Sequence, residues 1–153
     1  MDGVQSATLK QWSSLWRELD EVYHEIALKI GLSDSAFLVL YGICEIGAGC
    51  LQKDICTAYS ISKQTVHSSI RNLMKESYLR LEKGGRLFLT PAGEQLVKEK
   101  VFPVIEAENA SFSAMVPEER EELIRLTQTY LQLLRKKTWQ MLSLPLEGLW
   151  PQP

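Results

Sequence analysis

Near its N-terminus the chain sets apolar residues at Leu9, Trp12, Trp16, Leu19, Tyr23, Ile26 and Ile30, a spacing that alternates three and four without a miss. That rhythm predicts a long helix with a heptad seam. Leu15 and Val22 widen the stripe, which favours a helix shared between subunits over one that faces only its own core. Gly31 is placed to end it. Ser33 or Asp34 can cap a second helix to about Ile46, apolar on nearly every side (Phe37, Leu38, Val39, Leu40, Tyr41, Ile43, Cys44) and therefore central and buried. Gly47-Ala48-Gly49 breaks it. A shorter helix over Gln52 to Tyr59 follows, with Ile55 and Cys56 inward and Leu51 standing where a capping Ser or Thr is usual.

The stretch Ser62 to Lys75 divides cleanly. Val66, Ile70 and Leu73, with Met74 beside them, recur at helical spacing and define one buried face. The opposite face carries Lys63, Gln64, His67, Ser68, Arg71 and Lys75, each able to reach a phosphate or a base edge, and none acidic. Leu79 to Thr90 then alternates as a β-hairpin. A two-residue Gly84-Gly85 loop would put Leu79 and Leu81 on the face opposite Leu87 and Leu89. A three-residue loop, Lys83-Gly84-Gly85 with Gly85 left-handed, brings all four leucines to one face, and sets Glu82 opposite Arg86 and Arg80 opposite Phe88. Short helix, turn, polar-faced helix and basic hairpin is the order of a winged helix-turn-helix.

Thr90-Pro91 starts a further helix as N-cap and first residue, and Leu96, Val97, Val101, Val104, Ile105 and Phe112 continue its stripe. Pro103 falls inside that stripe and is expected to kink or split it. Pro117 opens a last long helix with Glu118, Glu119, Glu121 and Glu122 at its positive end and a stripe of Leu123, Leu126, Tyr130, Leu133 and Leu134 running toward Trp139 and Leu142. The three prolines after Leu144 predict an irregular tail. The expected fold is mainly α with a small β-wing. A winged helix-turn-helix module over 33–90 and a connecting helix over 91–115 are flanked by a helical dimerisation region, 6–31 and 117–143.

Charge sharpens the picture. Of 153 residues, 45% are hydrophobic and 24% charged, ordinary for a globular chain, and the formal net charge is −2. Between Lys53 and Arg86, however, seven basic residues face three acidic ones, a local +4 that leaves −6 on the remainder. Positive charge is concentrated where the hairpin and polar helix would meet DNA. The expected DNA contacts are Ser62, Lys63, Gln64, Thr65, His67, Ser68, Arg71, Lys75, Lys83 and Arg86. Gln64 suits adenine, Arg71 suits guanine or phosphate, and Ser62, Lys63 and Thr65 suit phosphates at a helix N-terminus. No run approaches the roughly 20 apolar residues of a membrane span and no signal-peptide pattern opens the chain, so a cytoplasmic protein is expected.

Other chemistry is poorly supplied. Cys44, Cys50 and Cys56 are an odd number, and two lie on inward faces where cysteine is usually a small apolar filler. A thiol switch would fall on Cys50, the one in a loop. With His24 and His67 the only histidines, no metal set, no cofactor and no catalytic constellation is expected. Trp12, Trp16, Tyr23, His24 and Tyr41 read first as core or seam. The rival from another class is a winged-helix protein-interaction module that never touches DNA.

Leu51-Gln52-Lys53-Asp54-Ile55, Ser62 through Ile70, Leu73 through Leu79, and Leu87-Phe88-Leu89-Thr90-Pro91-Ala92-Gly93 together resemble the MarR (multiple antibiotic resistance regulator) family, over nearly the whole chain. The resemblance implies a homodimer joined by its N- and C-terminal helices, with recognition helices in successive major grooves and wings in flanking minor grooves. It implies a sequence-specific regulator, expected to act as a repressor on a pseudo-palindromic duplex. It also implies a groove in which Trp12, Trp16, Tyr23, His24 and Tyr41 would line a pocket for a small aromatic ligand. Two departures stand out. Only Gly84-Gly85-Arg86 stands where the family wing carries Asp-x-Arg, which makes the wing short and leaves Arg86 to replace the wing arginine. Ser77-Tyr78 replaces a glycine before the first wing strand.

Overall fold

The computed structural model describes residues 4–142. Its elements run α1 (Ala7–Ile30), α2 (Asp34–Ile46), α3 (Gln52–Tyr59), α4 (Lys63–Lys75), β1 (Leu79–Glu82), β2 (Arg86–Leu89), α5 (Pro91–Leu96), a π-helical turn (Val97–Val101), α6 (Phe102–Ala114) and α7 (Pro117–Leu142). They form two compact units, Met1–Ile105 and Glu106–Pro153.

In the first unit α2 is the centre. Phe37, Val39, Leu40 and Ile43 are buried, and α4 adds Val66, Ile70 and Leu73, with Ile55 of α3 and Leu79 and Leu87 of the hairpin closing the core. Apolar residues on nearly every side of α2 thus meet neighbours on nearly every side, as the sequence pattern requires. Ser33 is the cap of α2, its hydroxyl accepting from Ala36 N–H at 3.2 Å. Helix α1 begins on a Ser6 cap and ends at Gly31, where the Leu32 and Gly31 amides donate to the Ala27 and Leu28 carbonyls. Only its last turns pack on the core, through Ala27, Ile26 and Ile30. Upstream, Leu15, Trp16, Leu19, Val22 and Tyr23 are exposed.

The hairpin has the three-residue loop: Leu79 pairs Leu89, Arg80 Phe88, Leu81 Leu87 and Glu82 Arg86, with Gly84 and Gly85 both at positive φ. Three of the four leucines on that face pack inward, whereas Leu81, on the outer strand opposite buried Leu87, is exposed. A third short segment joins the sheet. The Gly49 amide donates to Leu87 O, the Leu87 amide to Cys50 O, and Leu51 bridges Arg86.

Thr90 caps α5 as expected, accepting from Gly93 N–H at 3.0 Å. Just ahead of Pro103 the α-helix is interrupted and then resumes. The missing amide is accommodated by widening the preceding turn: Phe102 N–H donates to Val97 O, one residue further back than in an α-helix, and the chain continues helical to Ala114. The buried face of this segment is Val97, Val101 and Val104, while Phe112 is exposed. In the second unit α7 has no buried residue, and Leu123, Leu126, Tyr130, Leu133 and Leu134 all stand exposed. The expected irregular tail lies outside the described residues. Among those described, no single helix is long and apolar enough to cross a membrane.

Candidate nucleic-acid interface

The polar face of α4 is held outward by what lies beneath it. Val66, Ile70 and Leu73 sit in the core, and buried Ser69 donates its hydroxyl to Ser35 of α2 at 2.7 Å, fixing rotation about the helix axis. At the helix start Ser62 accepts from Thr65 N–H at 3.1 Å, and the two hydroxyls are hydrogen-bonded at 2.7 Å, so both are engaged in the cap. Gln52, the first residue of α3, donates from Nε2 to the Lys63 carbonyl at 2.8 Å and sets the angle between the two helices. Helix α3 lacks a side-chain cap at Leu51. Asp54 compensates by accepting from the Leu51 amide at 2.7 Å.

Lys63, Gln64, Thr65, His67, Ser68, Arg71 and Lys75 are all exposed. Apart from the Thr65 hydroxyl, none of their side chains has a hydrogen-bond or ion-pair partner among the described residues. These cations are therefore not neutralised by any of the described residues. Between the start of α3, α4 and the wing lies a cleft of about 320 Å³ with Ile70, Met74 and Leu87 in its wall and Lys53, His67 and Arg71 among its polar residues. Lys53 belongs with this surface although it lies off α4; the sequence showed it only as one of the local basic residues, with nothing to place α3 beside His67 and Arg71.

The wing is more self-contained. Arg80 pairs with Glu82 and lies over the Phe88 ring, 4.8 Å from its centroid. Arg86 donates from Nη1 to Gly49 O at 3.1 Å. Lys83, in the loop, is exposed.

The five aromatic and histidine residues of the expected ligand pocket fall in distinct settings. Trp12 and Trp16 meet edge to face at 5.9 Å on α1. His24 Nδ1 lies 2.9 Å from both carboxylate oxygens of Asp34 at the start of α2. Tyr41 is half-buried with Phe37 at 5.7 Å and Tyr59 at 6.2 Å. Tyr23 is exposed. Burial pushes the Cys44 thiol up to about 11, with Glu45 adding to the effect. Burial first, and then Asp54, also raises Cys50, which packs in the core. Neither is a ready thiolate.

A model of the MarR family matches residues 30–86, the segment from the end of α1 through the wing loop. No curated protein matches in sequence. Among solved structures, the Neisseria meningitidis MarR family regulator NMB1585 superposes with a TM-score of 0.72 at 21% identity, covering 89% of this chain and 99% of its own. Bordetella bronchiseptica BpsR, whose DNA binding is regulated by 6-hydroxynicotinic acid, is 25% identical over 78% of this chain and 98% of its own, with a TM-score of 0.59. Staphylococcus aureus MarR, solved with salicylate and kanamycin, reaches 0.64 at 18% identity, covering 84% of this chain and 91% of its own.

Proposed function

We propose, from its helix-turn-helix segment and its fold, that this is a MarR-family chain and that it is a homodimeric, sequence-specific DNA-binding transcriptional regulator, acting as a repressor on a pseudo-palindromic operator. The observation that carries the reading is the outer face of α4, which is exposed, free of acid and without internal ion pairs on a helix pinned to the core. In this reading α4 enters the major groove. Gln64 and Arg71 meet base edges, Lys63 and the helix start meet phosphate, and His67, Ser68 and Lys75 flank them. Lys53 and Lys83 add phosphate contacts from the rim.

The exposed apolar faces of α1 and α7 would each be covered by a second copy through an isologous interface. A small aromatic effector bound among Trp12, Trp16, Tyr23, His24 and Tyr41 would act by shifting the dimerisation helices, and hence the spacing of the two recognition helices. Titrating duplex DNA at rising salt tests the core of this reading. Phosphate contacts require the logarithm of affinity to fall steeply and linearly with the logarithm of salt, by roughly 0.9 per contact. A protein-interaction module would show no duplex affinity to lose.

A further inference from the structure

On the footing that the chain binds duplex DNA through α4, we infer that Arg86 is a positioning residue that splints the wing to the loop ahead of α3, so that the protein reads its site through the major groove alone. Two things tie Arg86 to the body of the protein, although it stands beside the wing loop. It is the first residue of β2, opposite Glu82, and its backbone bridges Leu51 in the third segment of the sheet. Its guanidinium is engaged as well, donating to the Gly49 carbonyl at 3.1 Å although the residue itself is exposed. To enter a minor groove it would have to leave that carbonyl, giving up a charge-assisted hydrogen bond.

The other wing arginine is committed too. Arg80 is paired with Glu82 and stacked on Phe88. Lys83 remains, in a loop of three residues. A lysine is a point charge suited to phosphate, and without the planar fork of arginine it reads little in a groove. Meanwhile the Gly49 and Leu87 amides are bonded across the same junction, to Leu87 O at 2.8 Å and Cys50 O at 3.0 Å. Arg86 therefore closes a small three-segment sheet that fixes the wing against the start of α3, and through Gln52 the start of α4.

Minor-groove chemistry and salt dependence together test this. The full chain is bound to a selected duplex, and then to the same duplex with 2,6-diaminopurine replacing adenine in the flanks. That base adds an amine to the minor groove and keeps the major-groove edge. Wild-type affinity should hold within about twofold. Arg86→Ala should weaken binding by about two- to tenfold with an unchanged salt slope, and Arg86→Lys, which can still donate to Gly49 O, should restore most of it. Lys83→Ala should instead lower the slope by roughly one. In the DNA-free protein, Arg86→Ala should raise hydrogen exchange at the Gly49 and Leu87 amides. A tenfold or greater loss on the modified flanks, abolished by Arg86→Ala, would overturn the inference. So would an Arg86→Ala slope reduced by about one, or exchange at those amides unchanged. A wild type that selects no duplex defeats the DNA-binding reading and this inference with it, while the exchange data still report whether the splint exists.

Discussion

At the scale of single residues, Gly93 shows how a motif becomes physical. The sequence offers it only as the end of Leu-Phe-Leu-Thr-Pro-Ala-Gly. In the fold, a Cβ at Gly93 would lie 2.0 Å from the Tyr78 carbonyl oxygen, which is backbone and cannot step aside. The same turn is drawn in by Thr90, whose hydroxyl donates to Ser77 O and accepts from Gly93 N–H. Gly93→Ala is therefore expected to cost at least the 1–3 kcal/mol typical of overpacking, read as a lower urea midpoint. Arg71 was legible as a DNA-facing cation because it lies on the polar side of the 3.6-residue period, and Arg71→Ala should lose roughly 1–3 kcal/mol of operator affinity and relax preference at one base pair, measured across operator variants. The role of Arg86 was not legible, since its partner is a carbonyl 37 positions away. The cysteines carry a pH prediction. The thiolate is the reactive form, and a raised pKa removes it at neutral pH. Alkylation of Cys44 should be slow at pH 8 and accelerate only as pH approaches about 11. Because the folded pKa is raised above 9.0, this group's contribution to stability is present below pH 9 and is lost as pH rises from there toward 11.

At the scale of elements, periodicity placed nearly everything in the first unit. Parity alone fixed the hairpin register, because a strand shifted by one residue turns its leucines outward. Parity says nothing about which strand lies at the sheet's outer edge, so it could not tell that Leu81 would be exposed while Leu87, opposite it, is buried. The form of the interruption at Pro103 was not legible for a related reason. A missing amide predicts a disrupted hydrogen-bond ladder, but the pattern of apolar residues cannot distinguish a break from one widened turn that keeps Val97, Val101 and Val104 on the buried face. The module's stability should depend on the face of α4 that carries no DNA chemistry. Ile70, 3% exposed, is the measure: Ile70→Ala should cost about 2–5 kcal/mol in denaturant unfolding. Lys63→Ala, on the opposite face, should leave stability nearly unchanged while weakening DNA binding.

At the scale of the whole molecule, the question is what covers the remaining apolar surface. Leu19 in the first unit is 53% exposed and Leu133 in the second 54%, and each is one of several such residues on its helix. Burial of one such side chain contributes on the order of 1.5–3 kcal/mol, so faces of this size favour association. The stripes themselves were plain in the sequence. What one chain could not reveal is whether they would turn inward, because a heptad seam looks the same against a core as against a second copy. Replacing Trp12 and Trp16 together by alanine should weaken self-association and DNA affinity in parallel, followed by sedimentation and by duplex titration. The most direct test of the central claim is selection of bound sequences from random duplex DNA at moderate salt. The account predicts enrichment of a pseudo-palindrome whose half-sites lie about one helical turn apart, bound by two chains per duplex. Recovery of no enriched sequence, or of a single half-site bound by one chain, would contradict it.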